Sequence, residues 1–262
     1  MDFVWKRERW EASDALENID LVATSCDGER VSLQRLRCNV AAEMLGIWLS
    51  PNGNKEKSIT TLKSDALEWG GKIRLGHPSP SEAWTALHCN LSAKLKYPLP
   101  ALTLTESECK SIMFPAVKAA LPKAGITSTI ATPIRDVPSS SMGVGVLSLY
   151  HYMGSARNAC LVDQLYHKTP LGTIFLLNIE DLVVDSGLYG SLWNMPFDLM
   201  SKYVDKHSWL IHVLEYNSTH NINISPDHGI LKPLRDNDKS LMSMAASLFN
   251  SAHELKSINR TR

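Results

Sequence analysis

Asp181 and Asp185 stand four residues apart, a spacing that sets two carboxylates on one face of a helix. Carboxylate oxygens suit Mg²⁺. Nothing else in the chain completes a nuclease or polymerase set around them, so a solvated helix face accounts for the pair. Among the nine histidines, His207 and His212 are five apart and fall on different helical faces. No His-Glu-x-x-His run or cysteine pair turns them into a zinc site. His88 and Cys89 are neighbours in sequence and point different ways. Gly143-Val144-Gly145 supplies two glycines of a dinucleotide fingerprint, but Ser148 holds the third glycine position and no acidic residue follows a β-α-β unit. A loop ending explains that run. No nucleophile elbow and no Ser/His/Asp arrangement is visible. The sequence therefore predicts no complete catalytic or metal site and no cofactor of its own.

Cationic residues offer a different chemistry. The chain is neutral overall, with 27 Lys and Arg against 27 Asp and Glu, so bulk charge selects neither nucleic acid nor membrane. The charge is unevenly spread, at −3 over residues 1–54, +4 over 55–125 and −1 over 126–262. The basic middle carries Lys55, Lys57, Lys63, Lys72, Arg74, Lys94, Lys96, Lys110, Lys118 and Lys123. Several such charges on one surface would bind a phosphate backbone by releasing its counterions. Lys63, Gly70 and Arg74 fall along one flank of a helical apolar stripe, where a glycine between two bases would let a phosphate approach. Asp65 and Glu68 dilute the opposite face.

The elements that must carry these residues are read from hydrophobic period and turn chemistry. Phe3-Val4-Trp5 and Trp10 flank a charged turn, and Leu21-Val22-Ala23 and Arg30–Leu33 flank Cys26-Asp27-Gly28-Glu29, a hairpin signal. Leu45-Gly46-Ile47-Trp48-Leu49 reads as a short apolar strand, stopped by Pro51-Asn52-Gly53-Asn54. From Lys55 the period becomes 3.6: Ile59, Leu62, Ala66, Trp69 and Ile73 share one face. Ser79-Pro80-Ser81-Glu82 opens a second helix and Thr105 with Glu108 a third, both as capping boxes. Pro98 and Pro100 end the second helix, and Pro115 is expected to kink the third. Residues 127–148, rich in Pro, Ser and Gly, are expected to form a loop or linker. Helical patterns resume at 149–167, 171–184, 197–204, 208–219 and 240–256. The expected fold class is α+β but mainly α: a β-rich segment at 1–54, a three-helix bundle at 55–126, the linker at 127–148 and a helical extension at 149–262.

Five widely spaced cysteines with no Cys-x-x-Cys suggest reduced thiols. No apolar signal core opens the sequence and no run approaches the ~20 residues that cross a bilayer. The expectation is an intracellular protein, cytoplasmic or nuclear, with no membrane partner.

Asp2-Phe3-Val4-Trp5-Lys6 with Trp10, Gly28-Glu29-Arg30-Val31, Leu45-Gly46-Ile47, and Leu49 to Asn54 open a series of blocks. Taken in order, the series resembles reverse transcriptases of LINE-like (non-LTR) retrotransposons, in the stretch downstream of the polymerase palm. Further along come Glu68-Trp69, Arg74 with Gly76-His77, and Ala83-Trp84. Tyr97-Pro98-Leu99-Pro100-Ala101 through Thr103-Leu104-Thr105 is the most distinctive, followed by Cys109, Ile112-Met113, Pro115 and Leu121 to Ile126. The resemblance implies that residues 1–54 form the end of the palm at the primer grip. It implies that 55–126 form a thumb holding an RNA/DNA template–primer duplex, with the missing palm domain as a second partner. On charge, Lys57, Lys63, Lys72, Arg74, Lys94, Lys96 and Lys123 are the expected backbone contacts. Such polymerases hold Mg²⁺ with paired aspartates, and no Asp-Asp occurs here. The chain is thus expected to be a non-catalytic fragment with residual duplex binding. Gly70-Gly71 inside a helix, at ~1 kcal/mol per glycine, suggests a decaying copy of low stability. Two other expectations stand beside it: a helical protein-interaction module with an apolar patch on the 149–250 helices, and an enzyme with a dispersed site that includes Asp181 and Asp185.

Overall fold

A computed structural model describes residues 2–6, 9–13, 21–24, 27–33, 40–186, 193, 197–201 and 208–224. The helical pattern at 240–256 and His207 lie outside these. The protein is mainly helical, with small antiparallel hairpins near its N-terminus. β1 (Asp2–Lys6) pairs with β2 (Arg9–Ser13) in a register that sets Trp5 opposite Trp10 along the backbone, and β3 (Leu21–Thr24) pairs with β4 (Arg30–Leu33). Gly28, at φ 80°, supplies the left-handed position in the second turn.

The third hairpin corrects the reading of 45–49 as a strand. β5 (Ala42–Met44) pairs with β6 (Ile47–Leu49), and Leu45-Gly46 is the two-residue turn between them. Both turn residues have positive φ, 51° and 78°, as a tight hairpin demands. Leu45 is left almost fully exposed. Its carbonyl accepts a hydrogen bond from Tyr97 Oη at 2.7 Å, which pins the turn to the helical part.

Two of the helices begin where the capping chemistry puts them. α1 (Glu56–Leu75) buries Leu62, Ala66 and Gly70. α2 (Pro80–Thr85) starts at Ser79 and α4 (Glu106–Lys123) at Thr105, each with both halves of a capping box formed. Between them, α2 continues through a π-helical segment (Ala86–Leu91) into α3 (Ser92–Lys96). The wider turn shifts a carbonyl out of the regular ladder, and buried Ser92 donates its hydroxyl to Leu87 O at 2.8 Å. α4 runs unbroken through Pro115.

Residues 127–148 are not a free linker. They hold α5 (Thr132–Asp136) and a 3₁₀ turn at Ser139–Ser141. The returning chain then bonds back, with Val144 N to Ile134 O at 2.9 Å and Val146 N to Arg135 O at 2.9 Å. Val146 is buried, and Val144 and Leu147 pack on the core. A composition rich in turn formers hid these apolar anchors. α6 (Leu149–Tyr166) follows at once, then α7 (Pro170–Ser186), α8 (Phe197–Met200) and α9 (Trp209–Thr219).

One apolar cluster runs from Leu62 through Leu87, Leu95, Ile112 and Leu121 to Leu149 and Met153. The start of the expected extension therefore shares a core with the three preceding helices. A second cluster joins Leu161 of α6 to Phe175 and Ile179 of α7, Met200 of α8, and Leu210 and Leu214 of α9. α6 belongs to both. No helix among the described residues is long and apolar enough to cross a membrane.

Glu108 ties the starts of α1 and α4 together. Its carboxylate accepts from Lys55 Nζ at 2.8 Å and from Thr105 N at 2.7 Å, while Lys55 also donates to Thr103 O at 3.0 Å. Burial raises the Glu108 pKa, but the hydrogen bonds from Lys55 and Thr105 outweigh it, and the carboxyl is held below its ordinary range. A folded-state value below the unfolded one stabilises the fold above about pH 4.3, and that contribution fades as pH falls through the lowered value. Glu108→Ala should therefore cost about 2 kcal/mol near neutrality. In urea melts, the gap between wild type and variant should close under acid. A gap that stays constant down to about pH 3 would refute this account.

Candidate nucleic-acid interface

α1 and α4 pack along their lengths because Gly70 lets them. A Cβ at Gly70 would stand 3.0 Å from Pro115 O and 3.5 Å from the Ala119 side chain. Gly70 is buried between helices, so it offers no approach to a phosphate, contrary to the sequence reading. It is also explained by packing rather than by decay. Gly71 beside it has open space.

On the outer side of this helix pair lies an open groove of about 990 Å³. α1 contributes Lys63, Leu67 and Arg74, and α4 contributes Lys110, Phe114 and Lys118. At about 100° per residue, each trio forms a single stripe along its helix. Thr60, Ser64 and Ser111 also line the groove. Its floor is apolar yet open to solvent, with Leu67 66% and Phe114 59% exposed. Lys118 Nζ sits 5.4 Å from the centre of the Phe114 ring. Lys110 pairs with Glu106 at 2.6 Å, and its hydrogen bond holds that carboxyl below its ordinary range. Lys63, Arg74 and Lys118 make no ion pair among the described residues. Asp65 and Glu68 of α1 are turned away from the groove, where they pair with Lys94 and Lys72.

Of the seven cations expected from sequence, the structure brings Lys63 and Arg74 together here. The others are engaged elsewhere. Lys72 pairs with Glu68 at 2.6 Å and Lys94 with Asp65 at 2.8 Å. Lys57 lies 5.0 Å over the Trp48 ring and Lys96 5.1 Å over that of Tyr152. Lys123 donates to Gly76 O at 3.1 Å, closing the C-terminus of α1. Lys110 and Lys118 were not singled out, although their spacing of four about Phe114 marks one helical face.

The remaining candidates are not gathered into sites. Asp181 is exposed on α7, and the side chain of Asp185 lies outside the described residues. No group of three or more metal-ligating side chains exists among the described residues. His212 pairs with Glu215 at 3.4 Å, and His88 packs on Trp84, ring centres 4.4 Å apart. Cys109 is buried, which pushes its thiol up to about 12 and leaves it unreactive at neutral pH. Gly143 fits against the Val137 carbonyl, which a Cβ would meet at 2.0 Å, so the Gly-Val-Gly run closes a turn. Comparison with protein-family models, curated proteins and solved structures gives no match to the chain.

Proposed function

We propose that the chain grips a nucleic-acid duplex along the α1/α4 groove, in the way that the thumb of a LINE-like reverse transcriptase holds template and primer. The observation that carries this reading is the convergence of Lys63, Arg74 and Lys118 around exposed Leu67 and Phe114. Three cations without ion-pair partners among the described residues, along two parallel stripes, suit phosphates, and the apolar floor suits sugar edges in a shallow groove. The helix order and the 97–105 block are in keeping with a thumb. On this reading the protein is non-catalytic. The paired aspartates and Mg²⁺ of such polymerases would belong to a palm domain acting as its partner, and no residue described here takes that role.

The test is fluorescence anisotropy with an RNA/DNA primer–template duplex over a salt series. The wild type should bind at roughly 50 mM salt and weaken steeply as salt rises. Lys63→Ala/Arg74→Ala/Lys118→Ala should lose on the order of 100-fold in affinity, and its log–log salt slope should flatten by about 0.9 per contact. Lys72→Ala/Lys94→Ala, whose lysines are already paired, should change little. Equal losses in the two variants, or no binding by folded wild type, would remove the duplex reading.

A protein-interaction role draws on a separate feature, the exposed apolar residues Leu171, Ile174 and Leu177 along α7. It would stand alone if duplex binding is absent.

A further inference from the structure

Away from the groove, one charged side chain is buried with no opposite charge beside it among the described residues. Arg157, on the inner face of α6, is only 2% exposed. Among the described residues, its Nε and Nη2 have no hydrogen-bond partner and no carboxylate lies within ion-pair distance. The guanidinium carbon sits 6.0 Å from the centre of the Trp209 ring. That ring is itself fixed, donating from Nε1 to Pro100 O at 2.7 Å and stacking on Phe175 at 5.1 Å with 5° between planes. The aromatic contact orients the guanidinium and leaves edge donors unused. Burial lowers the Arg157 pKa to about 10, so the group remains cationic at neutral pH. An isolated buried charge normally destabilises a fold, and its donors ask for an acceptor.

Arg157 forms part of the wall of a cavity of about 410 Å³ between α6, α9 and the start of α4. Leu104, Met153 and Ile211 give this cavity an apolar body. Its volume falls in the lower part of the range for small-molecule sites, about 300–1,000 Å³. Glu106 and Glu215 also line it, but each is engaged, with Lys110 at 2.6 Å and with His212 at 3.4 Å. Their negative charge disfavours a dianion such as phosphate and tolerates a single charge placed at Arg157.

We propose that this cavity binds a small organic monocarboxylate with an apolar body, its carboxylate held by Arg157. A planar guanidinium offers two parallel donors to the two oxygens of such a group. The apolar walls bury the rest of the molecule. The inference is independent of the duplex reading, since Lys63, Arg74 and Lys118 take no part in it.

Thermal melts of the full chain at constant ionic strength test it, with sodium benzoate, sodium hexanoate and inorganic phosphate as probes. Benzoate or hexanoate should raise the melting temperature in a saturable way, and phosphate should not. Arg157→Met should melt higher than wild type without ligand, because the unpaired charge is gone, and should lose the carboxylate-induced rise. Arg157→Lys keeps the charge without the fork and should bind benzoate at least tenfold more weakly. The groove triple variant should keep the full rise. No response of wild type to either carboxylate would overturn the proposal, as would an undiminished response in Arg157→Met. If that variant does not fold, an undiminished response in Arg157→Lys overturns it equally. A larger effect of phosphate than of either carboxylate would overturn the assignment of the ligand.

Discussion

Gly172→Ala should lower stability by about 3 kcal/mol, at the upper end of the range for overpacking a site. Gly172 lies in the first turn of α7, against the last turns of α6. A Cβ there would stand 2.2 Å from Gln164 O and 2.8 Å from its carbonyl carbon. Those are main-chain atoms of a helix, so no side-chain rotation relieves the contact. The joint is also pinned around them. Thr169 Oγ1 accepts from Gly172 N at 3.0 Å and donates to Gln164 Oε1 at 2.6 Å, while Thr169 N reaches Gln164 O at 3.3 Å. To admit the methyl group, α7 must move away from α6, and Phe175 and Ile179 leave the second core with it. The melting temperature should fall by roughly 6–12 °C for a chain of this size. Gly71→Ala is the control. It adds the same methyl to a helix with nothing within 4 Å, and helix propensity predicts a gain of up to about 1 kcal/mol. Similar melting temperatures for the two variants would show that the contact at Gly172 does not constrain the fold.

Leu87→Ala is expected to be as damaging, by a different route. Leu87 is fully buried in the first core, in the π-helical segment between α2 and α3. Truncation loses the transfer free energy of three carbons and leaves a cavity, together about 4 kcal/mol where the walls cannot collapse. The walls here are stiff, because the Leu87 carbonyl is held by Ser92 and the surrounding helices are locked by capping at Ser79 and Thr105. Urea unfolding measures the loss. A change under about 1 kcal/mol would mean that the π-helical segment relaxes into the space.

These sites differ in how far the sequence announced them. The starts at Ser79 and Thr105 were legible because a capping box is local chemistry. The 3.6-residue stripe of Leu62, Ala66 and Trp69 was legible because burial imposes period. Leu45-Gly46 was not, since leucine in a turn looks like a strand until the partner strand is known. Residues 127–148 misled for the opposite reason, their Pro, Ser and Gly masking Val144 and Val146. Within the basic middle, charge alone could not separate Lys63 and Arg74 from Lys72 and Lys94. The difference lies in which carboxylates the fold brings near each one. Arg157 gave no local sign at all, because its isolation depends on helices more than fifty residues away.

The turn at Met142 has an implication for how the polypeptide could be cut. Met142 is almost wholly in solvent, with φ at 62°, while Val146, Leu149 and Met153 just beyond it are interlocked with the helices before it. A protease nick there would break the covalent strand and leave the interlock in place. The two pieces would travel as one particle under native conditions and part only in denaturant.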